Sequence, residues 1–133
     1  MRHLLPLSTE AEVVVGYRAA RRDGAVRLLA SRCYNLLVNQ VLGLAFRDLN
    51  CALKLFHREV LYGLQLSSGG YAISAEILAR AQRAGYRLRE VPVSHYPRRT
   101  GRSKVSLFDV PRALAQIVAL RRALAKTEFR AQL

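Results

Sequence analysis

Residues 13–15 are three consecutive valines, and polar or small residues flank them in the segment EVVVGY. An apolar run of this length predicts a short strand that is buried on both faces, as in a parallel sheet. Gly16 follows the valines and allows the backbone to turn or to approach a ligand closely. The pattern therefore places a buried strand near the amino terminus, and this strand leads into a basic loop at residues 18–24.

A helical pattern follows this loop. Apolar residues recur at intervals of three, four and seven over residues 25–44, and they are Leu28, Leu29, Leu36, Leu37, Val41 and Leu44. Asp23 is a candidate cap for the start of this helix, and Gly43 weakens its end. We therefore expect a helix to return the chain across the sheet.

Helices and strands are predicted to alternate along the rest of the chain. Ser74 is the expected N-cap of a helix over residues 74–84, and Gly85 is its expected stop. Other patterns predict strands over residues 52–57 and 86–96, a short helix over residues 58–64 and a last helix that ends near Phe129. This order predicts the α/β class, with only about three strands in the sheet.

Composition restricts the function classes. The chain has 133 residues, 51% apolar and 23% charged, which is typical of one globular domain. The net charge of +13 favours an anionic partner, such as a phosphorylated ligand, an anionic lipid or nucleic acid. Cys33 and Cys51 are too few for a disulfide framework and form no zinc pattern. The start MRHLLPLSTE lacks the apolar core of a signal peptide, and no apolar run approaches the ~20 residues that span a bilayer.

Three groups of residues could carry chemistry. The first is Gly16, Tyr17 and Arg18 followed by Arg27 and Ser31, which lie one helical turn apart, and the second is Arg47 and Asp48 with Cys51 and Lys54. The third is the segment HYPRRTGRSK with Arg98, Gly101, Ser103 and Lys104.

A glycine in the segment HYPRRTGRSK is surrounded by four cations, which are Arg98, Arg99, Arg102 and Lys104. Such a loop can wrap an anion, and a merely solvated basic loop has the same composition. Asp48 lies beside Arg47 just before a predicted strand, either as a carboxylate that acts on an acceptor or as an ordinary ion-pair residue.

Four segments in order resemble the family 2 glycosyltransferases of the polyprenyl-phosphate type. They are VVVGYRAARRDG, RLLASRCYNLLVNQVLG, RDLNCALKLFHREVL and SAEILARAQRAGYRLREVPVSHYPRRTGRSK, and the resemblance covers about residues 10–120. It implies a partial glycosyltransferase-A fold, which is a Rossmann-like α/β sandwich. It also implies inverting transfer of a hexose from a nucleotide sugar to a polyprenyl phosphate, either dolichyl or undecaprenyl.

The resemblance implies roles for eight residues. Asp48 matches the aspartate of the family's D-x-x-C segment and is the expected catalytic carboxylate. The positions that match residues near the phosphates or the acceptor are Arg18, Arg27, Ser31, Glu76, Arg98, Ser103 and Lys104. The last three belong to an R-x-x-G-x-S-K loop that is expected to close over the phosphates.

The resemblance also implies how the chain is organised. Residues 1–104 correspond to the acceptor-side half of the catalytic domain, and residues 105–133 to an amphipathic helix on the membrane surface. Packing of that helix on the core is the alternative. The amino-terminal half, with its nucleotide pocket and Asp-x-Asp motif, is expected to be missing. A divalent metal, Mg²⁺ or Mn²⁺, is expected for the complete family domain, but none is expected to be bound by residues of this chain.

The expected partners are a polyprenyl phosphate lipid, a nucleotide sugar, the membrane surface, and either the missing half or a second copy. We expect a cytoplasmic protein, peripheral at the cytoplasmic face of the membrane. Two alternatives stay open: a basic non-catalytic module that binds anionic membrane or nucleic acid, and an inactive remnant. Nucleic acid is the less favoured partner, because the chain has no interleaved aromatic platform and no known reading motif.

Overall fold

The computed structural model describes residues 9–19, 24–94 and 109–131 of the chain. These residues form a three-stranded sheet with four α-helices and one 3₁₀ turn, so the mixed α/β class is confirmed. In chain order the elements are β1 (Val13–Arg18), α1 (Ala25–Leu42), β2 (Lys54–Phe56), α2 (Arg58–Gly63), a 3₁₀ turn (Gly70–Ala72), α3 (Ile73–Arg83), β3 (Leu88–Val93) and α4 (Asp109–Ala131).

Strand β1 is the central strand of the sheet. It pairs antiparallel with β2 on one side and parallel with β3 on the other. Val13 and Val15 are buried in the main core, whereas Val14 is buried on the opposite face with Ala11 and Val91. The prediction of a strand that is buried on both faces is therefore confirmed.

Gly16 is required by the neighbouring strands of the sheet. A Cβ atom at this position would lie 3.1 Å from Leu53 Cβ, 3.1 Å from Val93 Cγ1 and 3.2 Å from Cys51 Sγ. The Gly16 N–H also donates to the Leu53 carbonyl at 2.8 Å. The close approach predicted from the sequence is thus an approach of protein to protein, and it draws the segment before β2 against β1.

Glycines with positive φ end helices α1 and α3. Gly43 has φ +68° directly after α1, and its N–H donates to the Asn39 carbonyl. Gly85 has φ +82° after α3, and the amides of Gly85 and Tyr86 donate to the carbonyls of residues 82 and 81, which is a Schellman motif. Gly85 was predicted as the stop, and that prediction is confirmed. Gly43 ends α1 two residues before the predicted boundary.

The predicted N-caps differ from the observed helix starts. Helix α3 begins at Ile73, directly after the 3₁₀ turn, so Ser74 lies inside the helix and does not cap it. The Ser74 Oγ instead lies 3.4 Å from Lys54 Nζ, which donates to it. Gly24 occupies the N-cap position of α1 without a side-chain hydrogen bond, and Asp23 lies outside the described residues.

Helix α4 packs its apolar face on the core. Its buried residues recur at intervals of four, three and four, and they are Ala113, Ile117, Leu120 and Leu124. Three of them join the same core as Val13 and Val15, and Arg121 Nη1 donates to the Val41 carbonyl at the end of α1. The sequence left two environments open for this helix, the membrane surface and the core. From Ala113 to Leu124 its apolar face packs on the core. No helix in the described residues is long and apolar enough to cross a bilayer.

Candidate functional site

The site is built around an ion pair between the end of β1 and the loop that precedes β2. Arg18 Nε lies 2.6 Å from Asp48 Oδ2, and Arg18 Nη2 lies 2.9 Å from Asp48 Oδ1. The Arg18 backbone N–H also points to Oδ2 at 3.4 Å. Asp48 is only 3% exposed, so the bidentate contact is what makes its burial tolerable. Two residues predicted for the site, 30 positions apart, are thus in direct contact.

Two asparagines of α1 fix the loop that carries Asp48. Asn39 donates to the Phe46 carbonyl at 2.7 Å and accepts from the Phe46 N–H at 3.2 Å. Asn35 Nδ2 donates to the Arg47 carbonyl at 3.1 Å. On the other side of the loop, the Arg47 N–H donates to Glu90 Oε1 of β3 at 2.8 Å. The backbone that leads into Asp48 is therefore held by both α1 and β3.

An open cleft of about 360 Å³ lies against this pair. It is lined by Tyr17, Arg18, Ala19, Leu28, Arg32, Asn35, Arg47 and Asp48, and we call this set of residues the cleft. Arg32 and Arg47 are exposed, and the Arg47 guanidinium lies over the Tyr17 ring at 4.8 Å from its centroid. Asn35 Oδ1 is buried without a hydrogen-bond partner. Three arginines and one carboxylate therefore face a single polar concavity.

This arrangement suits an anion better than a metal cation. The side chains of Arg32 and Arg47 project from α1 and from the Asp48 loop, so an anionic group in the cleft can receive charge-assisted hydrogen bonds from two directions. Both oxygens of Asp48 are held by Arg18, so the carboxylate orients that guanidinium. Among the described residues, no group of three or more His, Cys, Asp or Glu side chains could hold a metal ion. The cleft as it stands does not fit the divalent metal of the complete family domain.

Lys54 is half-buried at the start of β2. Its Nζ donates to the Cys51 carbonyl at 2.6 Å and to Ser74 Oγ at 3.4 Å. Burial lowers the pKa of Lys54 from its usual value, and the negative charge of Asp48 opposes that shift. The Lys54 ammonium thus links the segment after Asp48 to the start of α3.

Glu76 supports a loop instead of lining the cleft. Its fully buried carboxylate accepts hydrogen bonds from Ser67 Oγ at 2.9 Å, from the Ser68 N–H at 2.6 Å and from Arg80 Nε at 2.7 Å. Burial alone would raise the pKa of Glu76, but hydrogen bonds from Ser68, Arg80 and Ser67 outweigh it and lower the pKa from 4.5 to about 2. The acceptor-site role implied by the resemblance stays a prediction, and the observed contacts are structural.

The other predicted residues fall in two groups. Arg27 and Ser31 lie on α1, next to the helix face that lines the cleft. Arg27 is exposed and Ser31 is half-buried. Arg98, Ser103 and Lys104 lie outside the described residues, as does the boundary between the two predicted segments at residues 104 and 105. Their roles stay predictions.

Sequence reasoning missed Arg32 and Asn35 as cleft residues. Together with Leu28 they stand at positions i, i+4 and i+7 of α1, so they share one helix face. That spacing is present in the sequence, but the apolar period that predicts the helix includes Leu28 and does not show which face of the helix lines a cleft. A search for polar residues at helical spacing beside Arg27 and Ser31 would have found them.

The chain has relatives among curated proteins. It is 25% identical to the dodecaprenyl-phosphate galacturonate synthase of Rhizobium johnstonii over 84% of this chain and 33% of that protein. It is 30% identical to the polyprenol monophosphomannose synthase of Mycolicibacterium smegmatis over 68% of this chain and 36% of that protein. It is 31% identical to the undecaprenyl-phosphate 4-deoxy-4-formamido-L-arabinose transferase of Salmonella paratyphi B over 80% of this chain and 32% of that protein.

The chain spans about a third of the length of these relatives. No family model matches the chain, and no solved structure matches it. The resemblance inferred from the four segments is confirmed, since these homologues are polyprenyl-phosphate sugar synthases or transferases.

Proposed function

We propose that this chain, a homologue of family 2 polyprenyl-phosphate sugar transferases over about a third of their length, takes part in the inverting transfer of a hexose from a nucleotide sugar to a polyprenyl phosphate. The observation that carries this proposal is the cleft, where the Arg18–Asp48 pair lies beside the exposed Arg32 and Arg47. The proposed ligand of the cleft is the phosphate of the lipid, dolichyl or undecaprenyl.

The chemistry of the reaction agrees with such a site. A lipid phosphate is already an anion, so it needs positioning more than it needs a strong base. Negative charge also develops on the departing diphosphate, and fixed guanidinium groups stabilise that charge where water is excluded. Asp48 would keep the Arg18 fork in place, and Arg47 would be held by its stacking on Tyr17.

Five further residues complete the proposed phosphate site. Arg98, Ser103 and Lys104 match the loop that is expected to close over the phosphates, and the cations of Arg98 and Lys104 would add to those of the cleft. Arg27 and Ser31 would approach the same anion from the neighbouring face of α1. Support for these roles comes from the matching segments in the sequence.

We further propose that the described fold is the acceptor-side part of a glycosyltransferase-A domain and that donor binding falls to other residues. The three aspartates of the sequence are Asp23, Asp48 and Asp109, so none of them forms an Asp-x-Asp motif. A divalent metal and the nucleotide pocket would then be supplied by a donor-binding part that this chain does not contain. Binding of the acceptor and transfer of the sugar are therefore tested in two separate experiments.

Binding of a short, water-soluble prenyl phosphate, such as geranyl phosphate, tests the cleft by isothermal titration calorimetry. Arg47→Ala removes a cleft cation, and Arg58→Ala is a matched control, because Arg58 also lies over a tyrosine ring but lines no part of the cleft. Loss of a charge-assisted hydrogen bond should weaken binding about tenfold in Arg47→Ala. Equal affinities in the two variants would contradict the assignment.

Transfer is tested with membranes that contain undecaprenyl phosphate and a panel of nucleotide sugars, with and without a separately expressed donor-binding half from one of the relatives. Transfer that requires both parts and is lost in Arg18→Lys would support the proposal, because lysine lacks the planar fork that pairs with Asp48. Acceptor binding without transfer under any of these conditions would instead identify a non-catalytic module or a remnant.

A further inference from the structure

One hydrogen-bond acceptor in the wall of the cleft has no donor. Asn35 lines the cleft and is only 7% exposed, and its Nδ2 donates to the Arg47 carbonyl at 3.1 Å. Because a carbonyl can only accept, this contact fixes the amide with its NH₂ group toward Arg47 and its oxygen turned away. Asn35 Oδ1 is buried and has no hydrogen-bond partner among the described residues. The wall of a cationic cleft thus contains an unpaired acceptor.

The second asparagine of α1 shows that holding the loop does not require such an oxygen. Asn39 lies one turn further along the helix, donates to the Phe46 carbonyl and accepts from the Phe46 N–H. Both of its polar atoms are used, and it lines no part of the cleft. A buried acceptor without a donor is costly, and the contact of Asn35 with the loop does not explain that cost. A ligand that donates to Asn35 Oδ1 would remove it.

The chemistry of the cleft restricts what such a ligand can be. Arg32 and Arg47 attract anionic oxygens, and a fully deprotonated phosphate satisfies both of them. The same phosphate has no hydrogen to donate, so it leaves Asn35 Oδ1 facing another acceptor. A ligand satisfies the whole cleft only if it carries a hydroxyl group next to its anionic oxygens.

We propose that Asn35 is a specificity-determining residue whose Oδ1 accepts a hydrogen bond from a hydroxyl group beside the phosphate of the ligand. The proposal rests on the proposed function, because it takes the cleft to be a phosphate site. Two sources can supply the hydroxyl: the sugar that becomes attached to the phosphate, and the P–OH group of a phosphate monoester that carries one proton. A cleft of about 360 Å³ lies within the usual size range of small-molecule sites, so it accommodates a sugar ring beside the phosphate.

Isothermal titration calorimetry of the full chain with matched ligands tests the proposal. Cyclohexyl phosphate and the anomeric phosphates of glucose, mannose and galactose share a six-membered ring and a phosphate monoester, and only the sugars have ring hydroxyls. At about pH 8 the phosphates are dianions, so at least one hexose phosphate should bind about tenfold more tightly than cyclohexyl phosphate if the sugar supplies the donor.

A second arm of the titration detects the P–OH source. At about pH 5 cyclohexyl phosphate carries one proton and one negative charge fewer, which by itself weakens its attraction to arginine. Tighter binding of cyclohexyl phosphate at about pH 5 than at about pH 8 would therefore identify P–OH as the donor. None of the eight cleft residues is a histidine, so the group that titrates in this range is the phosphate of the ligand. Equal binding of all four ligands at about pH 8, without tighter binding at about pH 5, would overturn the proposal.

A pair of variants separates recognition from support of the loop. Asn35→Leu keeps the branched shape of the side chain without its polar atoms, and Asn39→Leu is the matched control, because it removes contacts to the same loop from outside the cleft. Asn35→Leu should reduce the preference shown by the wild type to within about twofold of equal binding, whereas Asn39→Leu should keep that preference even if both affinities fall. A preference that survives in Asn35→Leu would contradict the assignment. If Asn35→Leu does not fold, the comparison of ligands on the wild type still decides.

Failure of this proposal is distinguishable from failure of the cleft. Binding of geranyl phosphate and cyclohexyl phosphate as tightly as every hexose phosphate, at both pH values, would reject the role of Asn35 and leave the cleft as a phosphate site. No saturable binding of any of these phosphates would reject the cleft itself and the role of Asn35 with it.

Discussion

Replacement of Glu76 by glutamine removes one charge from the interior and changes almost no volume. In the folded chain every contact to this carboxylate comes from a donor: the Ser67 N–H and Oγ, the Ser68 N–H and Arg80 Nε. A glutamine amide can accept with its oxygen, but its NH₂ group then points at another donor. Glu76→Gln therefore leaves at least one buried donor unsatisfied and leaves Arg80 without its ion pair.

The size of the effect follows from the pKa of Glu76. Hydrogen bonds hold that pKa at about 2 in the folded chain, against 4.5 for the ordinary carboxyl group. A depression of this kind stabilises the folded state above pH 4.5, and the contribution is lost as the pH falls toward 2. At 1.36 kcal/mol per pKa unit, Glu76→Gln should lower the free energy of unfolding by about 3 kcal/mol at neutral pH.

Urea denaturation followed by circular dichroism measures this difference as a function of pH. Glu59→Gln is the control, because Glu59 lies exposed in the first turn of α2, and its replacement should change stability by less than about 0.5 kcal/mol. The gap between the wild type and Glu76→Gln should close between pH 4.5 and 2. A gap that does not depend on pH, or equal losses in the two variants, would refute the role assigned to Glu76.

Three other substitutions test separate parts of the structure. Arg18→Met should lower the free energy of unfolding by about 3 kcal/mol in a thermal or urea titration, because it removes the bidentate ion pair of the buried Asp48 carboxylate. Asp48→Asn in the same background should recover part of that loss. Gly43→Ala should lower the free energy of unfolding by about 1 kcal/mol in the same assay because of the positive φ. Gly24→Ala, at φ −60° and in open space, should lower it by less. Ile117→Ala should cost at least about 2 kcal/mol if α4 packs on the core, and a loss below 1 kcal/mol would contradict that packing.

Elements with a strong local pattern could be predicted from the sequence. The valines of β1 are buried on both faces, as their uninterrupted run predicts. Helix α1 follows its apolar period from Ala25, and Gly85 stops α3 where it was expected. In each case the structure depends on interactions between residues that are close together in the sequence.

Helix caps and the environment of each helix face could not be predicted in the same way. Ser74 has the side chain of an N-cap, but the preceding 3₁₀ turn moves the helix start to Ile73 and Lys54 contacts the hydroxyl instead. The leucines of α1 give one periodic pattern, yet Leu29 and Leu36 are exposed. Periodicity shows that a face is apolar, and only the packing of the other elements shows whether that face is covered.

The candidate site was predictable in part. Arg18 and Asp48 were both singled out in the sequence, and they are in contact in the fold. Asn35 and Asn39 were not named, because their partners are backbone groups of residues 46 and 47, seven to twelve positions away. Such contacts depend on how the loop folds back on the helix, which no local pattern encodes.

Chemical-shift mapping with geranyl phosphate tests the central claim, that the cleft beside the Arg18–Asp48 pair receives a lipid-borne phosphate. In ¹H–¹⁵N spectra of the full chain, saturable shifts should centre on the amides of Tyr17, Arg18, Arg32 and Asp48, which line the cleft. Arg47→Ala should reduce them, and Arg58→Ala should not. Shifts centred on Ser67 to Gly69, which line a second pocket against α4, or no saturable shift at all, would contradict the account.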